Sequence, residues 1–134
     1  MDTDLIISAI NELHKKADQA LESKDLTAYT AMFDDRLSFT PAEGTALNKR
    51  DYTIDLKKYF GNLKEIHTSY YRIKSSMEDD IFTEKIARKS VLLKPNLLIF
   101  SKKQTIQTEE IYHWKNINGE WKVIAIEIVL EEKY

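Results

Sequence analysis

At His67 the apolar period of the chain changes from three-to-four residues to two, and that change fixes the order of its parts. Before it, Ile6, Ile10, Leu13, Ala17 and Leu21 recur at helical spacing with Glu12, Lys15, Lys16, Asp18 and Gln19 between them. Asp25 is a good N-cap for a second, shorter helix whose Leu26, Tyr29, Met32 and Phe33 continue the apolar stripe. Leu37 to Thr40 alternate and stop at Pro41, as a short edge strand does. Asn48 with Asp51 three residues on resembles a capping box for a third helix through Tyr52, Leu56, Tyr59, Phe60 and Leu63, with Gly61 close to its end. After His67 the chain is rich in Tyr, Ile, Val, Thr and Trp and is divided by three turns, at Asp79-Asp80, Lys94-Pro95-Asn96 and Asn118-Gly119. These features predict one α+β domain over residues 1–134, three helices packed on one face of a curved antiparallel sheet.

Composition removes several classes of function. Twenty Lys and Arg against 22 Asp and Glu leave a net charge of −2, without the basic footprint of a nucleic-acid binder. With no cysteine there is no disulfide and no thiol nucleophile, which fits a reducing, cytoplasmic setting. The apolar start, Leu5 to Ile10, gives way at once to Glu12, His14, Lys15 and Lys16, so neither a signal peptide nor a membrane span is predicted. Three scattered glycines cannot build a phosphate loop or a nucleophile elbow. His14, His67 and His113 lack metal-binding spacing, so neither a metal nor a cofactor is expected.

The junction Lys24-Asp25-Leu26 with Tyr29 and Phe33, the Phe39–Pro41 strand, and the closing run His113, Trp114, Asn118, Gly119, Glu120, Trp121, Lys122 and Val123 together resemble the NTF2-like superfamily, in its SnoaL-like and steroid-isomerase-like members. The resemblance implies a cystatin-like cone, a curled sheet whose open end forms a pocket. It does not carry the steroid-isomerase chemistry with it. The position of that branch's general base falls on Thr40 and that of its tyrosine near Ala17, and neither residue can take those roles. A local slip would bring Glu43 to the base position, although Glu43 also reads as a solvated turn residue.

A two-residue turn at Asn118-Gly119 sets the register of the last hairpin by counting outward. The count opposes Trp114 to Val123, Tyr112 to Ala125 and Glu110 to Glu127. It predicts one face of Trp121, Val123, Ala125, Glu127, Trp114, Tyr112 and Glu110, and another of Ile111, His113, Ile124, Ile126, Ile128 and Leu130. Two apolar faces need two covers, so a homodimer through the outer sheet face is expected. The paired glutamates read as an acid and base candidate that a single β-bulge would dissolve.

The same count on the first hairpin opposes Met77 to Phe82, Ile73 to Ile86 and Tyr71 to Arg88. It turns Tyr71 and Ile73 inward and Tyr70, Arg72 and Lys74 outward. Arg88 and Glu84 intrude on the inward set, as a buried ion pair or as part of a ligand site. Leu97 to Phe100 either close the cone mouth or extend the meander.

The candidate ligand-binding residues are therefore Tyr71, Arg88, Glu110, Tyr112, Trp114 and Glu127. Two functions stay open. One is a dimeric module for binding a small apolar ligand or for assembly; the other is an isomerase, dehydratase or hydrolase of a small hydrophobic substrate.

Overall fold

The computed structural model describes residues 3–95 and 101–134, so the Leu97–Phe100 segment and Asn96 of the second turn lie outside the described residues. Helix α1 (Thr3–Glu22) buries Ile6, Ile10, His14, Ala17, Ala20 and Leu21 along one stripe. The Asp25 side chain caps α2 (Leu26–Thr30) by accepting the Ala28 N–H. This helix is only five residues long, and Met32 and Phe33 are not part of it. Phe33 instead opens β1 (Phe33–Thr40). A two-residue strand, β2 (Leu47–Asn48), leads into α3 (Lys49–Gly61), where Asn48 accepts the Asp51 N–H at 2.8 Å.

The remaining strands are β3 (Glu65–Glu78), β4 (Ile81–Pro95), β5 (Ser101–Ile117) and β6 (Glu120–Lys133). They form one six-stranded sheet in the order β2-β1-β6-β5-β4-β3. β1 lies parallel to β6, and the other pairings are antiparallel. Asn118 and Gly119 both take positive φ, 55° and 87°, as a type I′ turn requires.

The core lies between the helices and the inner sheet face. Ile10, Phe82, Ile86, Leu92, Trp114 and Val123 are wholly enclosed there.

Three β-bulges, one in β3 and two in β6, rewrite the register that counting predicts. In β6 the pairing runs from Trp114↔Val123 to His113↔Ala125, skipping Ile124, so Tyr112 opposes Ile126 and Glu110 opposes Ile128. In β3 it runs from Lys74↔Lys85 to Arg72↔Ile86, skipping Ile73, so Tyr70 opposes Arg88 and Tyr71 opposes Ala87. A one-residue insertion sends the side chains beyond it to the other face until a second insertion restores them, as the skipped Val129 between Glu110↔Ile128 and Glu109↔Leu130 does for Leu130. Ile126 therefore lies in the core and Ile128 packs against it, whereas the count put both outside. Tyr71 and Ile73, counted inward, are 68% and 44% exposed. Arg72 and Tyr70 take their places inside.

Candidate functional site

The inner sheet face carries two polar clusters built on one plan. Each takes a residue from α1, β3, β4 and β5, and on every element the two contributors are four positions apart: His14 and Asp18, Arg72 and Thr68, Glu84 and Arg88, Trp114 and Glu110. A four-residue step keeps side chains on one face of a helix and of a strand alike, so both clusters look inward.

The first cluster centres on Glu84, whose side chain has no solvent exposure. Its Oε2 accepts from His14 Nε2 at 2.7 Å and from Trp114 Nε1 at 2.6 Å. Its Oε1 accepts from Arg72 Nε at 2.9 Å, and Arg72 Nη2 also donates to Asn11. Burial pushes the Glu84 carboxyl up, but the His14 hydrogen bond, the charge of Arg72 and the Trp114 donor outweigh it and hold the acid below its ordinary value. Glu84 is therefore ionised, and His14 Nε2 carries the shared hydrogen. The rings of Tyr70, Tyr112 and Trp114 enclose His14 at centroid distances of 4.6, 5.3 and 5.4 Å.

The second cluster centres on Arg88. Its Nη1 donates to Asp18 and to Thr68 Oγ1, each at 2.9 Å, and its Nε reaches Glu110 Oε1 at 3.4 Å. Thr108 Oγ1 donates to Glu110 Oε2 at 2.6 Å, and the Tyr112 hydroxyl donates to Oε1 at 3.0 Å. Burial pushes the Tyr112 phenol well up, and Glu110 adds to that; burial also takes Tyr29 to about 12. Arg88 stays charged because the carboxylates of Glu110 and Asp18 outweigh the cost of its burial. Among the described residues no buried side-chain nitrogen or oxygen lacks a partner. Nor, among them, do three His, Asp or Glu residues converge as a metal site.

Of the six residues singled out in the sequence, the structure gathers Arg88, Glu110 and Tyr112 in the second cluster and Trp114 in the first. Tyr71 and Glu127 stand on the opposite face. Glu127 lies 3.7 Å from His113 there, so the predicted Glu110–Glu127 pair does not exist. His14, Asp18 and Arg72 were not among the candidates. The four-residue step between His14 and Asp18 along the buried stripe is the signal that marks two of them.

Two hollows flank this interior. One, of about 570 Å³, opens between α3 and β1 and is lined by Phe39, Pro41, Tyr52 and Tyr59 with Glu43 and Asp55 among others. Tyr52 stacks on Phe39 at 3.9 Å and 8°, and it interacts with the Tyr29 phenol of the interior. The other, of about 490 Å³, is a depression of the outer sheet face under Tyr71, Ile73, Ala87, Lys89 and Leu130.

A curved six-stranded sheet wrapped over three helices, with polar groups on its concave side, defines the class of small cone-shaped α+β domains. Comparison with solved structures narrows that class to the NTF2-like, cystatin-like fold. An NTF2-like superfamily protein from Salmonella enterica superposes with a TM-score of 0.82 over 95% of this chain and 92% of its own, at 12% identity. A putative scytalone dehydratase from Novosphingobium aromaticivorans gives 0.85 over 99% and 91%, at 12% identity. A hexachlorocyclohexane dehydrochlorinase gives 0.78 over 100% and 93%, at 11% identity. No family model matches the sequence, and no curated protein matches it. No helix among the described residues is long and apolar enough to cross a membrane.

Proposed function

We propose that this chain is a binding module that takes a small, largely apolar molecule in the hollow between α3 and β1. The observation that carries this reading is the contrast between that hollow and the interior. Aromatic walls around about 570 Å³ leave room for a small ligand, whereas the buried acids and bases already saturate one another. The test is a thermal-shift screen of small aromatic compounds against the wild type and Thr45→Trp, which fills the hollow from its exposed loop. Compounds that raise the wild-type melting temperature should lose that effect in Thr45→Trp. Undiminished stabilisation of the variant would remove the hollow as the site.

A second copy of the chain is the proposed cover for the outer face. Tyr71, Ile73 and Leu130 stand out there at 68%, 44% and 42% exposure. Around them are Lys85, Lys89, Glu109 and Glu132, a mixed set that a two-fold axis can set against itself. Light scattering at micromolar concentration should give twice the chain mass, and Ile73→Lys should halve it. A wild-type monomer would end this part of the reading.

The enzymatic alternative, an isomerase, dehydratase or hydrolase of a small hydrophobic substrate, draws on Asp18 and Arg88, whose side chains keep 20% and 10% exposure. A turnover assay on any compound that binds decides between the two readings.

A further inference from the structure

We infer that the hollow between α3 and β1 selects organic cations, apolar molecules that end in an ammonium group, over neutral or anionic molecules of the same shape. This rests on the reading above that the hollow is the ligand site, and it adds the ligand's charge.

The lining carries the argument. Phe39, Tyr52 and Tyr59 supply aromatic surface, Pro41, Leu47 and Leu56 supply aliphatic surface, and the charged lining residues are Glu43 and Asp55, with no lysine, arginine or histidine among them. Neither carboxylate forms a hydrogen bond or ion pair with a described residue. That sets them apart from Asp18, Glu84 and Glu110, each of which is held by an arginine. A third acid, Glu131, stands near enough to Tyr59 to add to the burial that takes its phenol to about 12.

The backbone sets this arrangement. Tyr52, Asp55, Leu56 and Tyr59 fall at three- and four-residue steps on one side of α3, while the neighbouring Lys57 and Lys58 do not line the hollow. Gly44, at a φ of 112°, turns the loop of residues 41–46 so that Glu43 and Thr45 border the same space. Aromatic faces attract a cation through their quadrupole, and nearby carboxylates add Coulomb attraction that salt weakens. An anion of the same size meets both effects with the opposite sign. The outer-face depression differs in this respect, because Lys89 lies there alongside Glu109 and Glu132.

The test is an NMR titration of the ¹⁵N-labelled chain with three probes of one shape, 2-phenylethylammonium, 2-phenylethanol and phenylacetate. The cation should bind about tenfold more tightly than the alcohol, a ratio within reach of the two attractions together, with shifts at Gly44, Thr45, Asp55 and Tyr59. The anion should bind more weakly than the alcohol. The double variant Glu43→Gln, Asp55→Asn, which alters only exposed side chains, should narrow the cation's advantage over the alcohol to what the aromatic faces supply and leave the alcohol unchanged. Raising the salt should weaken the cation alone. Equal affinity for cation and alcohol would overturn the charge preference while leaving the hollow as a site. Shifts that avoid the hollow with every probe would overturn both.

Discussion

The Glu84 and Arg88 clusters share a plan but differ in charge balance and in access to water. Glu84 has one carboxylate facing Arg72, with His14 and Trp114 completing its acceptor sites; the side chains of Glu84, His14 and Trp114 are enclosed, and Arg72 reaches solvent at 18% exposure. Arg88 is one cation shared by two acids, and Asp18 and the guanidinium are both partly exposed. His14 and Trp114, enclosed around Glu84, have no substitute for a lost acceptor, because water cannot enter to solvate them. An open cluster can recruit water. The two should therefore respond differently to the same kind of damage, although each contains a buried ion pair that contributes little net stability over an apolar replacement.

Removing Glu84 should have the largest effect. Glu84→Ala leaves His14 and Trp114 without their acceptor in an enclosed core and Arg72 with only Asn11 and water, and should cost about 3–5 kcal/mol by the usual cost of breaking a buried pair. Urea unfolding monitored by Trp fluorescence measures it, and a loss below about 1 kcal/mol would show that the cluster is not sealed. Arg88→Met should cost less, about 2–3 kcal/mol, since water can reach Asp18 while Thr108 and Tyr112 still donate to Glu110. If Arg88→Met proved as costly as Glu84→Ala, the difference in water access would not be what separates the clusters.

Acid gives the smallest effect and the one most specific to Glu84. Its carboxyl is held below 4.5, the value of a free glutamate. As pH falls past that value the unfolded chain takes up a proton that the folded chain refuses, so stability drops until the folded acid itself is protonated. Unfolding free energy should therefore fall with pH below about 4.5. Glu84→Gln, which removes the titrating group, should show a shallower fall over the same range than the wild type.

The helices, their caps and the turns at Asp79-Asp80 and Asn118-Gly119 could be read from the residues, because each depends on chemistry within a few positions, whereas Lys94 and Pro95, read as a turn, are strand residues of β4. Asp25 and Asn48 cap their helices through side-chain oxygens three residues from the amides they accept. Asn118 and Gly119 supply the positive φ values of the last turn. Pairings near the turns follow from counting as well, as Trp114↔Val123 and Met77↔Phe82 show.

Farther from the turns counting fails, and each failure falls where apolar residues are adjacent. Val123, Ile124, Ala125 and Ile126 offer an apolar side chain to the core in either register, and Tyr70 to Ile73 does nearly the same. In such runs the alternation that would pin the register is missing. The choice then depends on contacts made by distant elements. Turning Arg72 inward brings it to Glu84 and to Asn11 of α1, and turning Tyr70 inward sets its ring 4.6 Å from that of His14, tilted by 41°. The sequence by itself determined the order of the three helices and the later strands, the caps, the turns at Asp79-Asp80 and Asn118-Gly119, and the inward placement of Glu84, Arg88, Glu110, Tyr112 and Trp114. Only the tertiary structure decided the three bulges, the exclusion of Tyr71 and Glu127 from the interior, and the hollow between α3 and β1. These depend on which side chains α1 and α3 present to the sheet, a relation between residues tens of positions apart that no local pattern encodes.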